Sequence, residues 1–153
     1  MKKSSQLFGK FGENYIIGIL LENDFEVFRP EFDRGTDLIV KSGKNMLSVQ
    51  IKTRNYQTAL DRHMIIHKED LKENDVLIYV IYNGRNNINF LVLPTKEVLK
   101  WKHTKDGARI HYPIKCNSIN GKTDIRFEYK GRVWNLHKFA NENGINFLRK
   151  RIA

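Results

Sequence analysis

The sequence predicts an α/β (α+β) fold in which a central mixed β-sheet is flanked by helices. Three observations support this: an amphipathic helix opens the chain, three short strands follow it, and mixed helical and extended segments complete it. The 153 residues suit a single domain, 1–153, with little chain left for a second core. Hydrophobic residues make up 41% of the chain, which is enough to bury a core and excludes disorder for most of its length.

The first predicted helix runs to about Asn23, and Ser4 or Ser5 can cap its N-terminus. Three strands follow, and a four-residue turn at 42–45 joins the second strand to the third. Their predicted bounds are Phe25–Arg29, Thr36–Lys41 and Met46–Arg54.

The stretch Tyr56–Asn74 is ambiguous and fits a short strand around Met64–Ile66 followed by a helical turn. Two apolar runs on either side of a turn at Asn83-Gly84 then predict the strands Asp75–Tyr82 and Ile88–Leu93. The last third of the chain predicts a helix Lys96–Lys102 capped by Thr95, strands and loops over 103–132, and a helix Leu136–Asn143 that ends at Gly144.

Several classes of protein are excluded by what the sequence lacks. Its longest apolar runs, Val76–Tyr82 and Tyr15–Leu21, fall far short of the about 18–20 residues of a membrane-spanning helix. The N-terminus lacks the apolar segment of an export signal, and the single cysteine, Cys116, excludes an internal disulfide or a cysteine zinc cage. We therefore expect no membrane association and a cytoplasmic (intracellular) location.

The positive charge is concentrated in the last third of the chain. Residues 1–95 hold 13 Lys and Arg against 12 Asp and Glu, whereas residues 96–153 hold 14 against 5. Basic residues interleaved with aromatic ones favour a polyanionic partner, because each neutralised phosphate releases counterions. For the charge alone, a solvated basic surface is an equally good interpretation.

Glu13 is the first of the residues that indicate chemistry. At about 100° per residue it shares a helix face with Ile16, Ile17 and Leu20. A carboxylate on the core-facing side of a helix is costly unless it is paired, hydrogen-bonded or bound to a metal. The simplest alternative role for Glu13 is an ion pair with Lys10.

The longest predicted strand carries a row of polar side chains in the middle of a sheet. Because side chains alternate along a strand, four apolar or small residues lie on one face and four polar residues on the other. The first set is Leu47, Val49, Ile51 and Thr53, and the second is Ser48, Gln50, Lys52 and Arg54. We interpret the polar face as one that opens to solvent or to a cleft.

The register of the second and third strands brings an acidic residue to this polar face. If Met46 pairs with Lys41 across the turn, Asp37 lies directly opposite Gln50, with β carbons about 4.5–5.5 Å apart. Lys52 then lies two residues further along the same face. A register shift of one residue would move Asp37 to the other face.

Two carboxylates, an amide oxygen and an ammonium group in one cleft suit a hydrolytic site for a hard cation. Oxygen ligands favour Mg²⁺, for which Mn²⁺ can substitute, and which completes its coordination with water and substrate phosphate. A bound metal polarises a phosphoryl oxygen and acidifies water, while a lysine orients that water or offsets developing charge.

The same residues resemble the motifs of the PD-(D/E)XK nuclease superfamily. The similar segments lie within about residues 5–54, and they are Gly12-Glu13, Gly35-Thr36-Asp37-Leu38-Ile39-Val40 and Val49-Gln50-Ile51-Lys52. The resemblance implies a restriction-endonuclease-like core. It also implies that Asp37 is the metal-binding acid, Lys52 the lysine of the tripeptide and Glu13 the helix-borne acid.

Two positions depart from the family pattern. Thr36 rather than a proline precedes Asp37, and Gln50 stands where the tripeptide has an acid. A glutamine at that position resembles a subgroup that includes intron-encoded homing endonucleases, and it also leaves open a weakened or inactive site.

We therefore expect a Mg²⁺-dependent, site-specific endonuclease of homing or restriction type that hydrolyses phosphodiester bonds in double-stranded DNA. Glu13, Asp37 and Gln50 are the expected metal ligands, and Lys52 is the fourth catalytic residue. Residues 1–95 are the expected catalytic core, and 96–153 a basic DNA-recognition region. Cutting both strands with one site per chain implies a homodimer or homotetramer. The candidate DNA-binding residues are Arg54, Lys102, Arg109, Lys115, Arg126 and Arg132.

Two alternatives stay open at this point. A Holliday-junction resolvase has a similar core and charge, but it recognises the shape of its DNA and needs less additional sequence. A non-catalytic DNA-binding module would result if Gln50 has abolished metal-dependent activity.

Overall fold

The computed structural model describes residues 2–31, 35–57, 63–101, 105, 107–119, 122–129 and 131–153. Side chains at 2–4, 111–115, 117–119, 122–123, 129 and 132 lie outside this description. The helices are α1 (Lys2–Glu22), α2 (Lys68–Lys72), α3 (Thr95–Val98) and α4 (Asn141–Ile152), with a 3₁₀ turn at His137–Phe139. The strands are β1 (Glu26–Phe28), β2 (Leu38–Ser42), β3 (Asn45–Asn55), β4 (His63–His67), β5 (Val76–Tyr82), β6 (Ile88–Pro94), β7 (Arg109–Ile119), β8 (Lys122–Tyr129) and β9 (Arg132–Asn135).

The central sheet is mixed, as the sequence predicts. Its strand order is β1-β2-β3-β5-β6, and β3 and β5 are parallel while the other neighbours are antiparallel. Helices α1 and α4 lie on one face of this sheet. The core beneath them includes Ile16, Leu20, Leu38, Val49, Ile51, Ile78, Leu148 and Ile152.

A second sheet, with strand order β4-β7-β8-β9, is antiparallel throughout and lies on the other side of β5 and β6. The core between the two sheets includes Met64, Ile66, Leu77, Tyr79, Leu91, Leu93, Ile110 and Phe127. The sequence predicts strands in this region but not a separate sheet, because β4 pairs with a strand far from it in the chain. Within the described ranges, the structure contains no helix long and apolar enough to cross a bilayer.

Two predicted helix starts are wrong. Helix α1 begins at Lys2, so Ser4 and Ser5 lie inside the helix rather than at its cap. Thr95 does not cap the next helix through its side chain. Its hydroxyl donates instead to the carbonyls of Asn74, at 2.5 Å, and Asp75, at 3.2 Å, and α3 ends at Val98.

The prediction for the last helix is also wrong. Helix α4 begins at Asn141 and continues through Gly144, which was expected to end the preceding helix. A β carbon on Gly144 would overlap the carbonyl of Phe139 and lie 2.8 Å from a methyl group of Val92. Glycine is therefore required here for close packing of α4, and it does not terminate a helix.

Candidate active site

The register of β2 and β3 agrees with the prediction. Lys41 pairs with Met46 and Leu38 pairs with Val49. The turn itself is shorter than expected, since Ser42 and Asn45 already pair across a two-residue connection. Gly43 supplies the positive φ of 61° that such a turn needs.

Asp37 immediately precedes β2, and its carboxylate lies against β3. Asp37 Oδ2 accepts a hydrogen bond of 3.0 Å from Gln50 Nε2 and one of 2.6 Å from the backbone N–H of Ile51. The backbone N–H of Asp37 donates to the carbonyl of Val49 at 3.0 Å. These bonds to an ionised group fix the carboxylate on the strand that carries Gln50 and Lys52.

Gln50 is 6% exposed, and its side chain is oriented by its acidic neighbour. An ionised carboxylate accepts hydrogen bonds but cannot donate them, so the amide nitrogen must point to Asp37 and the amide oxygen away from it. Within the described part of the chain, Gln50 Oε1 is buried and has no hydrogen-bond partner. An unsatisfied buried acceptor costs about 1–3 kcal/mol, so this oxygen is suited to a ligand that supplies positive charge or a donor.

Lys52 lies on the same face of β3 as Gln50. In the parallel pairing with β5, Gln50 is opposite Leu77 and Lys52 is opposite Tyr79, and both partners contribute to the core between the two sheets. Lys52 Nζ is 3.0 Å from Asp70 Oδ2, and both side chains are partly exposed. Asp70 was not identifiable from the sequence, because it lies in the stretch Tyr56–Asn74, where the pattern of residues is ambiguous.

The face that carries these residues is only half covered. The second sheet packs over β5 and β6, whereas β1 and the nearby end of β3 expose large side chains on the same face. Phe28 is 49% exposed and Met46 is 62% exposed. Asp37, Gln50 and Lys52 thus lie at the boundary between the covered and the open half of this face of the sheet.

Glu13 lies at the same end of the sheet as Asp37, but on the helix that covers the other face. Its Oε2 accepts hydrogen bonds from Lys10 Nζ, at 2.9 Å, and from Arg29 Nη1, at 3.0 Å, and its side chain is 16% exposed. Arg29 directly follows β1, whose last residue, Phe28, pairs with Ile39. The structure therefore joins Asp37 to Gln50 directly, while Glu13 makes its ion pairs elsewhere.

Gly12 allows α1 to approach β3 closely beside the site. A β carbon at this position would overlap the hydroxyl group of Thr53. Because Thr53 is the neighbour of Lys52 in the chain, this contact fixes the helix that carries Glu13 against the strand that carries the other candidate residues.

The part of the chain that the structure describes lacks a cluster of acidic side chains that could hold a metal ion by itself. In the described ranges, no group of three or more His, Cys, Asp or Glu side chains is arranged to hold a metal ion. The oxygen donors that the structure does bring together are the carboxylate of Asp37 and the amide oxygen of Gln50. Because Gln50 turns its nitrogen toward Asp37, both oxygens would hold one hard cation only after the amide reorients, and water and substrate would supply the remaining ligands.

The candidate DNA-binding residues have different surroundings. Arg54 lies on the polar face of β3, near Tyr79, while Arg109 is exposed at the start of β7. Arg126 on β8 is paired with two carboxylates, Asp124 at 3.3 Å and Glu128 at 3.1 Å. Lys102 lies outside the described residues. Lys115 and Arg132 lie on β7 and β9, but their side chains are outside the description.

Tyr79 is a buried titratable group beneath the site. Burial raises the pKa of its phenol well above the usual value, and the positive charge of Arg54 and a hydrogen bond with Tyr56 oppose this only in part. Tyr79 therefore stays protonated in the folded protein and adds no negative charge to the site at neutral pH.

No family model and no curated protein matches this chain. Among solved structures, a bacterial homing endonuclease, I-Ssp6803I, is similar, with a TM-score of 0.62 and 15% sequence identity. The similarity covers 97% of this chain and 93% of that one. The two chains share a fold. At this identity the comparison bears on the fold alone, since function depends on the residues of the site.

Proposed function

We propose that this protein is a divalent-metal-dependent DNA endonuclease with a PD-(D/E)XK-type site in which Gln50 replaces the acid of the tripeptide. The observation that carries the proposal is the buried amide oxygen of Gln50, which lacks a hydrogen-bond partner among the described residues and lies beside the carboxylate of Asp37. Lys52 lies on the same face. The fold shared with a homing endonuclease supports the same conclusion.

The residues of the site have separate roles in this proposal. Asp37 and Gln50 would hold Mg²⁺ or Mn²⁺, with Glu13 as the helix-borne acid. When bound, the metal supplies Lewis-acid polarisation of a phosphoryl oxygen and lowers the pKa of a bound water. The backbone N–H of Ile51 holds the carboxylate of Asp37 on β3, so this group is positioned before a metal binds. The ammonium group of Lys52 orients the water or offsets the negative charge that develops on the phosphate.

The substrate in this proposal is double-stranded DNA, cut at specific sites by an enzyme of homing type. The open half of the central sheet gives a duplex access to Asp37, and basic residues such as Arg54 and Arg109 contact phosphates. Because one chain contributes one site, cutting both strands would require a homodimer or homotetramer. Light scattering with and without a DNA duplex would measure the assembly.

A cleavage assay on DNA tests the proposal. We expect the purified protein to nick or cut members of a random duplex library in millimolar Mg²⁺ or Mn²⁺, and to be inactive with chelator. Asp37→Asn should abolish cutting, and Lys52→Ala should reduce it to a slow residual rate, while both variants bind DNA as the wild type does. A matched control is Glu26→Gln, which removes an exposed carboxylate from an ion pair with Lys41, away from the site. Cutting by Lys52→Ala at the wild-type rate would contradict the assignment, as would cutting in chelator.

One observation favours a second candidate, a DNA-binding module without catalysis. Asp37 is hydrogen-bonded to a neutral amide, and the described residues include no cluster of three acidic or histidine side chains. Binding of duplex DNA without any nicking in Mg²⁺ or Mn²⁺ would establish this alternative. A four-way junction belongs among the substrates, since cutting of junctions but not of linear duplexes would identify a resolvase.

A further inference from the structure

We propose that Asp70 is a positioning residue that fixes the ammonium group of Lys52 at the reacting centre. This inference rests on the proposed nuclease function. It adds to the site a residue of α2 that the sequence motifs do not include. It also gives a role to the Asp70 carboxylate, which contacts Lys52.

The contact that carries the inference is an ion pair between two elements that the chain brings together only on folding. Asp70 Oδ2 is 3.0 Å from Lys52 Nζ, and the two side chains are 26% and 36% exposed. A lysine side chain has four rotatable bonds, and its ammonium group is not confined without a partner. Asp70 confines it on the side of the strand where Gln50 and Asp37 lie.

A buried asparagine holds Asp70 in place. Asn74 is 5% exposed, and its Nδ2 donates to the carbonyl of Asp70, at 3.1 Å, and to the carbonyl of Gly35, at 2.8 Å. Gly35 lies two residues before Asp37, so one amide group links α2 to the segment that carries the acidic residue. This fixes the relative positions of the carboxylate and the lysine.

The connection after α2 is fixed to the central sheet as well. The hydroxyl of Thr95 donates to the carbonyl of Asn74, and the carboxylate of Asp75 accepts from the backbone N–H and the hydroxyl of Ser48, each at 2.9 Å. Ser48 is two residues before Gln50 on β3. A helix of five residues has little stability of its own, and these bonds explain how α2 can hold a side chain precisely.

Loss of the Asp70 carboxylate should affect the position of the Lys52 ammonium group more than the stability of the fold. A partly exposed ion pair contributes little to folding, so loss of the Asp70 carboxylate should change the unfolding midpoint only slightly. Misplacement of a catalytic group by about 1 Å can lower a rate by about 100-fold. We therefore expect Asp70→Asn to lower kcat by about 10- to 100-fold with little change in KM for DNA.

The experiment combines steady-state cleavage with a double-mutant cycle. The variants are Asp70→Asn, Asp70→Glu, Lys52→Ala and the double variant of Asp70→Asn with Lys52→Ala. Asp70→Glu should recover part of the lost kcat because it keeps the charge. Asp70→Asn should have no further effect once Lys52 is removed, since it acts through that lysine. Glu26→Gln is the matched control, because it breaks a carboxylate–lysine pair of similar length, 3.1 Å, far from the site.

A spectroscopic measurement makes the test independent of cleavage. The side-chain ammonium of Lys52 should give an ¹H–¹⁵N signal in the wild type that is shifted or lost in Asp70→Asn and unchanged in Glu26→Gln. An unchanged signal would overturn the inference. Full additivity of Asp70→Asn and Lys52→Ala would overturn it too. So would recovery of the kcat of Asp70→Asn in saturating Mg²⁺, which would make Asp70 a metal ligand. If the wild type cuts no DNA while the signal responds to Asp70→Asn, the nuclease proposal fails and the pairing stands.

Discussion

The amide of Gln50 donates a hydrogen bond of 3.0 Å to the carboxylate of Asp37, across two strands joined by a two-residue turn. This bond orients the amide, because the carboxylate can only accept. The remaining amide oxygen is then left buried in a site that the second sheet does not close. This hydrogen bond therefore determines which atom of the amide faces Asp37, and it leaves a buried acceptor that favours a cation or a hydrogen-bond donor.

Gln50→Glu should make the stability of the protein depend on metal. A second carboxylate beside Asp37 repels it and removes the hydrogen bond that Gln50 donates, so the free energy of unfolding in chelator should fall by about 1–3 kcal/mol. Millimolar Mg²⁺ or Mn²⁺ should restore more stability to this variant than to the wild type. Urea denaturation with and without metal measures both effects. Gln50→Leu is the control, and it should not respond to metal; equal responses of all three proteins would refute a cation site here.

The buried phenol of Tyr79 should make the free energy of unfolding fall at high pH. Its pKa is raised in the folded protein by burial, whereas an unfolded tyrosine loses its proton at about pH 10. Above that pH the unfolded state releases a proton that the folded state keeps, so the free energy of unfolding falls as the pH rises. Tyr79→Phe should show a shallower fall than the wild type between about pH 10 and 11. Lysine ionisation affects both proteins alike, and identical pH profiles would show that Tyr79 ionises normally.

Gly12→Ala should destabilise the protein although alanine favours helices. The added methyl group would overlap the side chain of Thr53 and push α1 away from β3. Overpacking of this kind costs about 1–3 kcal/mol, which chemical denaturation can measure. Gly9→Ala and Gly18→Ala in the same helix have open space at the new β carbon and serve as controls. They should be neutral or stabilising by up to about 1 kcal/mol, and equal losses at all three positions would disprove the close contact.

Asp124→Asn should strengthen DNA binding if β8 belongs to the interface. Asp124 lies 3.3 Å from Arg126, a candidate DNA-binding residue that also pairs with Glu128, and its carboxylate lowers the positive charge of β8. Its removal should raise affinity several-fold at low salt and steepen the dependence of affinity on salt, because more counterions are released per complex. Glu26→Gln makes the same change in net charge on β1, so any advantage of Asp124→Asn over it measures the local effect. No difference between the two would place β8 outside the DNA interface.

The position of Asp37 against Gln50 could be predicted from the local sequence pattern. Alternation along β3 and the short turn before it are sufficient to place Asp37 against Gln50, since a shift of one residue would bury polar side chains. The structure agrees with that register and with the mixed central sheet.

Long-range packing was not predictable in the same way. Glycine ends helices in many sequences, but Gly144 lies inside α4, where it contacts Phe139 of the preceding turn and Val92 of the distant strand β6. The pairing of β4 with β7 and the ion pair of Asp70 with Lys52 join segments far apart in the chain. Composition and periodicity carry no information about such partners.

The position of α4 has a consequence for how the protein is made. Ile152 is buried in the core of the central sheet, and its carbonyl accepts a hydrogen bond of 2.7 Å from the side chain of Asn45, at the start of β3. A nascent chain on the ribosome cannot complete this core until residue 152 has left the exit tunnel. The strand that holds Gln50 and Lys52 is thus fully supported only once residue 152 has emerged from the ribosome.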